Sequence, residues 1–292
     1  MMFYENLARK IELPVEVLNE ILALQPILGE LSVLQMQLLD SDYAVDELKK
    51  SLAIIAKETK IHPYQVDFYL LLLATKPLYE LYQQRGINDE IFFDTMRDLV
   101  YKLRECQMIH GINGTFVFDW YPGFYRLERF ALGRLQYEFS NYDKESYDRF
   151  GVKIEQGDLA FGLHVPSSGP LNRDECYESY QRACKFFETD WLVLKCHSWF
   201  FNPYHQEFLP ANSNILAFIN DFDIIDYQEE TTFNDAWRIF GLVEGKDVAE
   251  WPESTSLQRA YKQHLLAGGS VGTGYAILVF DGEKVINLVD KE

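Results

Sequence analysis

Apolar side chains recur every three or four positions through the first 110 residues, and beyond the string His110-Gly-Ile-Asn-Gly-Thr-Phe116 they begin to alternate. The first period is that of a helix with one buried face, the second that of a strand. In "LPVEVLNEILALQPILGE", Pro14 suits a helix start, and Val17, Leu18, Ile21, Leu22 and Leu24 form a stripe. "YAVDELKKSLAIIAKETK" repeats the stripe with Val45, Leu48, Leu52 and Ile55; its acids come early and its lysines late, as the helix dipole favours. "PYQVDFYLLLLATKPLYELYQQRG" is more thoroughly apolar, which predicts a central helix bent near Pro77. Asn88 is placed to cap "DEIFFDTMRDLVYKLRECQ". Short links between such helices predict an all-helical bundle over 1–110.

The rest, 111–292, reads as strands interleaved with helices. "LGRLQYEFS" puts Leu135, Tyr137 and Phe139 on one face and Arg134, Gln136 and Glu138 on the other. "FGVKIEQGDLAFGLHV" reads as two strands joined at Gln156-Gly157-Asp158. A helix over 173–187, the strand "DWLVLKCHSWFF", a helix around "SNILAFINDF" and the strand "FDIIDYQ" follow. A helix stopped by Gly268 leads into a terminal hairpin, "GYAILVFDGEKVINLV", turning at Asp281-Gly282. The fold class is therefore α+β: a helical N-terminal bundle, then a mixed sheet with helices packed on it.

Composition narrows the function. With 45 acidic against 27 basic residues the formal charge is −18, which repels phosphate backbones and argues against nucleic-acid binding. The longest apolar run, "FYLLLLA", is far too short to cross a bilayer, and the start lacks the pattern of a secretory signal, so no membrane partner and a cytoplasmic setting are expected. Cys106, Cys176, Cys184 and Cys196 lack metal or redox spacing, and no metal is expected.

The strings "FALGRLQYE", "LHVPSSGPL", "CHSWFFNPY" and "LPANSNILAF" resemble those of bacterial acyltransferase-domain proteins, in which a helical N-terminal domain precedes a GNAT-like C-terminal domain. The element order of the second half is similar to the GNAT fold. The resemblance implies transfer of an acyl group from acetyl-CoA or a longer acyl-CoA to a small amine-type acceptor. Two features depart from GNAT practice. "VPSSGPLNRDE" stands where those proteins carry a Gly-rich pyrophosphate loop, and Phe218-Ile219 stands where they carry Phe-Tyr.

The candidate site residues follow from position. His164 ends a strand at the corner and titrates near neutrality, so it suits acid–base work. His197 shares a strand face with Lys195 and Trp199, while Cys196 points the other way into an apolar face. Glu138 suits a water-relayed base. Ser167, Ser168 and Gly169 offer N–H and hydroxyl donors for an anion or a carbonyl, and Arg134, with Arg126 and Arg129 nearby in sequence, offers charge for CoA phosphates. Against a ligand at the corner stands self-capping: Asn172 and Glu175 have the spacing of a capping box. Ala160, Gly162 and His164 make a face with room for close approach to the backbone, which either a pantetheine arm or a packed element would fill. "AGGSVGTGYAIL" runs from helix to strand, the reverse of a dinucleotide loop. Three functions stay open at this point: an acyltransferase, a ligand-binding module that has lost transfer, and an interaction scaffold built on the helical half.

Overall fold

A computed structural model describes residues 2–241 and 243–288. The chain divides into two compact units, residues 1–132 and 133–292. The first holds α1 (Met2–Ile11), α2 (Val15–Leu22), α3 (Gln25–Leu28), α4 (Ser32–Leu39), α5 (Val45–Thr59), α6 (Pro63–Gln84), α7 (Asp89–Met96) and α8 (Asp98–His110). A short α9 (Pro122–Tyr125) and the strand β1 (Arg129–Ala131) complete it.

Helix α6 is the axis of this unit, with the run Phe68–Ala74 buried throughout. Pro77 lies inside it and has no N–H to give the Leu73 carbonyl one turn back. The Tyr4 hydroxyl donates to that carbonyl instead, at 3.2 Å. Asn88 caps α7 as expected, accepting from the Glu90 N–H. The helix read from there as continuous is interrupted at Arg97, whose guanidinium holds Asp94 at 2.7 Å. Gly111, in the left-handed conformation, ends α8 where the period changes. The segment that follows still belongs to the first unit: Phe118, Tyr121, Phe124 and Tyr125 are buried there, and the Tyr125 hydroxyl donates to the Leu71 carbonyl.

The second unit contains β2 (Gln136–Asn141), β3 (Ser146–Arg149), β4 (Val152–Glu155), β5 (Leu159–His164), α10 (Arg173–Phe186), β6 (Leu192–Ser198), α11 (His205–Phe208), α12 (Asn214–Ile219), β7 (Asp223–Glu230), α13 (Ala236–Phe240), α14 (Ser256–Leu266) and β8 (Val271–Phe280). Its main sheet runs β2-β5-β6-β8-β7. Only the β5–β6 pairing is parallel among these; β2–β5, β6–β8 and β7–β8 are antiparallel. The strands either side of the Gln156–Asp158 turn are not each other's partners. β4 pairs with β3 in a separate two-stranded sheet, and β5 pairs with β2. Hydrophobic alternation marks both strands and says nothing of which neighbour each will take.

Each sheet face has its own cover. Helix α10 lies on one, where Phe161 stacks on Phe187 at 4.1 Å and the Tyr137 hydroxyl meets Ser179 Oγ at 2.8 Å. On the other, the β3–β4 hairpin brings Tyr147, Val152 and Ile154 onto Ala160, Val193, Ile277 and Val279. Strand β8 is almost entirely buried. After it the chain turns at Asp281 and returns, Ile286 donating to the Val279 carbonyl. The last residue of the expected hairpin, Val289, lies outside the described residues.

Strand β8 passes so close to the turn after β6 that a side chain at Gly274 would meet the Phe201 carbonyl oxygen at 2.1 Å. Backbone has to move to admit even a methyl. Gly274→Ala is therefore expected to cost about 2 kcal/mol, in the range of an overpacked core; a urea titration with an unchanged midpoint would contradict this.

Candidate functional site

Strands β2 and β5 set Glu138 directly opposite Gly162, with His164 two residues further along β5 on the same face. His164 Nε2 donates to Glu138 Oε2 at 2.8 Å. Both side chains are about 30% exposed: 29% for His164 and 31% for Glu138. A Cβ at Gly162 would lie 3.5 Å from His164 Nε2 and 3.7 Å from Glu138 Oε2. The space above Gly162 is thus where the pair closes, and the room read from the Ala-Gly face is filled in part by the protein itself. Ala160 is buried under the hairpin. With Nε2–H committed to the carboxylate, the neutral ring carries its basic lone pair on Nδ1.

The pair stands where two parallel strands separate. Strands β5 and β6 are partnered only at Phe161–Leu194 and Gly162–Lys195, yet β5 runs on to His164 and β6 to Ser198. The carboxyl ends of parallel strands are where open α/β sheets hold ligands. His197 is on the β6 side of this opening, exposed, with its ring centroid 6.3 Å from that of Tyr275. Among the described residues it makes no hydrogen bond to the Glu138–His164 pair.

A charged strap borders the opening. After β2 the chain crosses the sheet face: Asp143 Oδ1 accepts from Lys195 Nζ at 3.0 Å and from the Tyr275 hydroxyl at 2.5 Å. Lys144 then reaches Asp226 on β7 at 2.9 Å and lies 4.9 Å over the Tyr275 ring. These contacts hold the Asp143 carboxyl below the usual carboxylate range, although burial opposes them, and burial with the nearby Asp143 pushes the Tyr275 hydroxyl far up. Lys195 was visible in the sequence beside His197. Asp143 and Tyr275 were not, because a loop acid and a core tyrosine carry no periodic signal.

The corner at Ser167, Ser168 and Gly169 is exposed. Arg134 holds its shape: Nη2 donates to the Gly169 carbonyl at 2.7 Å, Nη1 to Pro166 at 3.3 Å and Nε to Pro170 at 3.4 Å. In a trans peptide the N–H points opposite the carbonyl, so this clamp turns the Ser167 N–H away from the guanidinium. Asn172 caps α10 by accepting from the Asp174 N–H at 2.9 Å. Arg126 donates to the Leu38 and Tyr43 carbonyls and Arg129 to that of Trp120. Cys196 is buried, which pushes its thiol up to about 12, and it faces away from the opening.

Phe218 and Ile219, in place of an aromatic pair with a hydroxyl, are both buried. No group of His, Cys, Asp and Glu among the described residues is arranged to hold a metal ion. Nor, among them, is any single helix long and apolar enough to cross a membrane.

Residues 129–278 match the family model described as a GNAT-like C-terminal domain, and residues 2–127 match that of an N-acyltransferase N-terminal domain. No curated protein matches the chain in sequence. A crystal structure of an acyltransferase in complex with decanoyl-CoA has a TM-score of 0.74 over 98% of this chain and 87% of its own, at 23% identity. Another acyltransferase structure, in complex with CoA and 10C-teicoplanin, has a TM-score of 0.70 over 93% and 86%, at 22% identity. At such identity the likeness is one of fold.

Proposed function

The chain belongs to the family that joins an N-acyltransferase N-terminal domain to a GNAT-like C-terminal domain, and from this we propose that it moves an acyl group from acyl-CoA to an amine. The observation that carries the reading is the Glu138–His164 hydrogen bond, placed where β5 and β6 part. Structures of the same fold hold decanoyl-CoA or CoA, which supports an acyl-CoA as donor here.

The thioester lies at the opening between the strands, with the acceptor nitrogen on the side of His164. The nitrogen attacks the thioester carbonyl carbon as its proton passes to His164 Nδ1, and Glu138 stabilises the imidazolium through Nε2–H. Collapse of the tetrahedral intermediate breaks the C–S bond. The same imidazolium returns the proton to the departing sulfur, which removes the need for a hydroxyl at position 219. His197, on the β6 side, is the second candidate for that proton. The N–H groups of the Ser167–Gly169 corner serve the donor's phosphates or its carbonyl, with Arg134 fixing the corner rather than touching the ligand. The acceptor approaches as a cation drawn by the acidic surface, and must lose one proton before attack.

A calorimetric titration with decanoyl-CoA is expected to give saturable binding at micromolar to low millimolar donor. Thiol release on adding a panel of primary amines then reports transfer. No binding at any acyl length from acetyl to decanoyl would remove the proposal. A second reading has its own support: the corner is a clamped turn instead of a glycine-rich loop, as in a ligand-binding module without turnover. It predicts donor binding with no thiol release for any amine.

A further inference from the structure

A cleft of about 1080 Å³ in the second unit lies away from Glu138 and His164. It opens at the sheet edge, where β7 begins and the chain returning from β8 comes in, flanked by the first turns of α10 and by α12. Its volume is that of a small-molecule site.

The lining has two parts. Ile219, Phe222, Ile224 and Ile286 supply an apolar wall, and Arg173 and Lys284 supply cations. The two carboxylates in the lining are already neutralised. Asp221, only 2% exposed, accepts from Arg173 Nη2 at 2.7 Å and from its Nε at 3.3 Å. Asp223 accepts from Arg149 at 3.2 Å and from the Tyr147 hydroxyl at 3.1 Å. The Arg173 fork is thus rigidly seated on a buried acid, over the Tyr177 ring, while the side chain stays 57% exposed. Its Nη1 makes no hydrogen bond among the described residues, and neither does the Lys284 ammonium, whose neighbouring charge is Asp281 on the same turn. In a chain of charge −18 this leaves a pre-oriented guanidinium and an exposed ammonium beside an apolar wall.

We propose that this cleft binds an anionic amphiphile: a carboxylate or phosphate monoester head on Arg173 and Lys284, with an alkyl body along Ile219, Ile224 and Ile286. A seated guanidinium has lost its rotamer freedom already, so its bond to an anion is pre-organised. A neutral chain would gain the wall alone, and a cation would meet Arg173.

The test is calorimetry on the full chain with decanoate, decyl phosphate, decanol and decyltrimethylammonium, each below its micelle concentration. The two anions are expected to bind, the stronger naming the head group, and the alcohol and the cation to bind at least about tenfold more weakly, as loss of a charge-assisted hydrogen bond implies. Ala217→Trp, an exposed α12 position at the mouth, is expected to abolish binding. Lys284→Glu, on the surface turn, is expected to weaken it by about tenfold or more. Equal binding of decanol and decanoate, unchanged binding in Ala217→Trp, or displacement of the probe by free CoA would each overturn the proposal; the last would place the ligand in the donor site.

Discussion

His164→Ala is expected to lower kcat/KM for acyl transfer by about a hundredfold to ten-thousandfold, the span attributed to a positioned acid–base group, and to leave the affinity for acyl-CoA nearly unchanged. The split follows from geometry. In the proposed mechanism the imidazole acts on protons of the acceptor and of the sulfur, while the donor is held by backbone groups and by the walls of the opening. Glu138→Gln tests the other half of the pair. The amide oxygen can still accept from Nε2–H and keep the ring in place, but the negative charge that favours the imidazolium is gone. The acid limb of the kcat/KM profile therefore moves to lower pH, with a smaller loss of rate than in His164→Ala. Equal rates for wild type and His164→Ala, or a limb that stays put in Glu138→Gln, would remove the pair from the chemistry.

The second large effect concerns stability in acid. His205 is fully buried; Nδ1 donates to the Phe200 carbonyl at 2.9 Å, and Nε2 accepts from the Tyr261 hydroxyl. Burial pulls this imidazole down to about 4 from 6.5. Above pH 6.5 both folded and unfolded forms are neutral and the contribution is complete. As pH falls from 6.5 to 4 the unfolded chain takes a proton that the folded one refuses, and stability drops by about 3 kcal/mol.

Asp67 works in the opposite direction. Burial, with Asp119 close by, raises its carboxyl to about 7 against the pull of Lys49, so it stabilises the fold as pH falls from 7 towards 3.8. The two partly cancel in the wild type, and a variant is needed to separate them. His205→Gln is expected to be less stable than wild type at pH 7.5, and urea unfolding should show that gap narrowing by about 3 kcal/mol by pH 4. A gap independent of pH would mean that the ring is protonated inside the fold.

How much of this was legible in the sequence depends on the scale of the interaction. The helices of the first unit and the order of strands and helices in the second follow from local period and caps such as Asn88 and Asn172. Pairing does not. Nothing local says that β4 joins β3 while β5 joins β2, because alternation is the same whichever neighbour a strand takes. Glu138 was visible on the polar face of one strand, and His164 at the end of the small-residue face of another. Their bond was not, since it depends on a register between segments 26 positions apart. Arg134 illustrates the other limit: a cation in the right stretch reads as a phosphate ligand, and only the fold shows three turn carbonyls around it. The cleft over Asp221 had no signal, because its walls come from α10, α12, β7 and the chain after β8.

The rung that sets Glu138 against Gly162 also decides where this protein tolerates length changes. Residues between β2 and β5 form a hairpin with its own pairing, so additions near the exposed turn at Phe150-Gly151 leave the two strands as they are. One residue added or removed inside β5, between Gly162 and His164, would send the imidazole to the α10 side of the sheet and part it from its carboxylate. Natural variants and engineered libraries should therefore show free variation in the hairpin's span and none in the two-residue step that separates the glycine from the histidine.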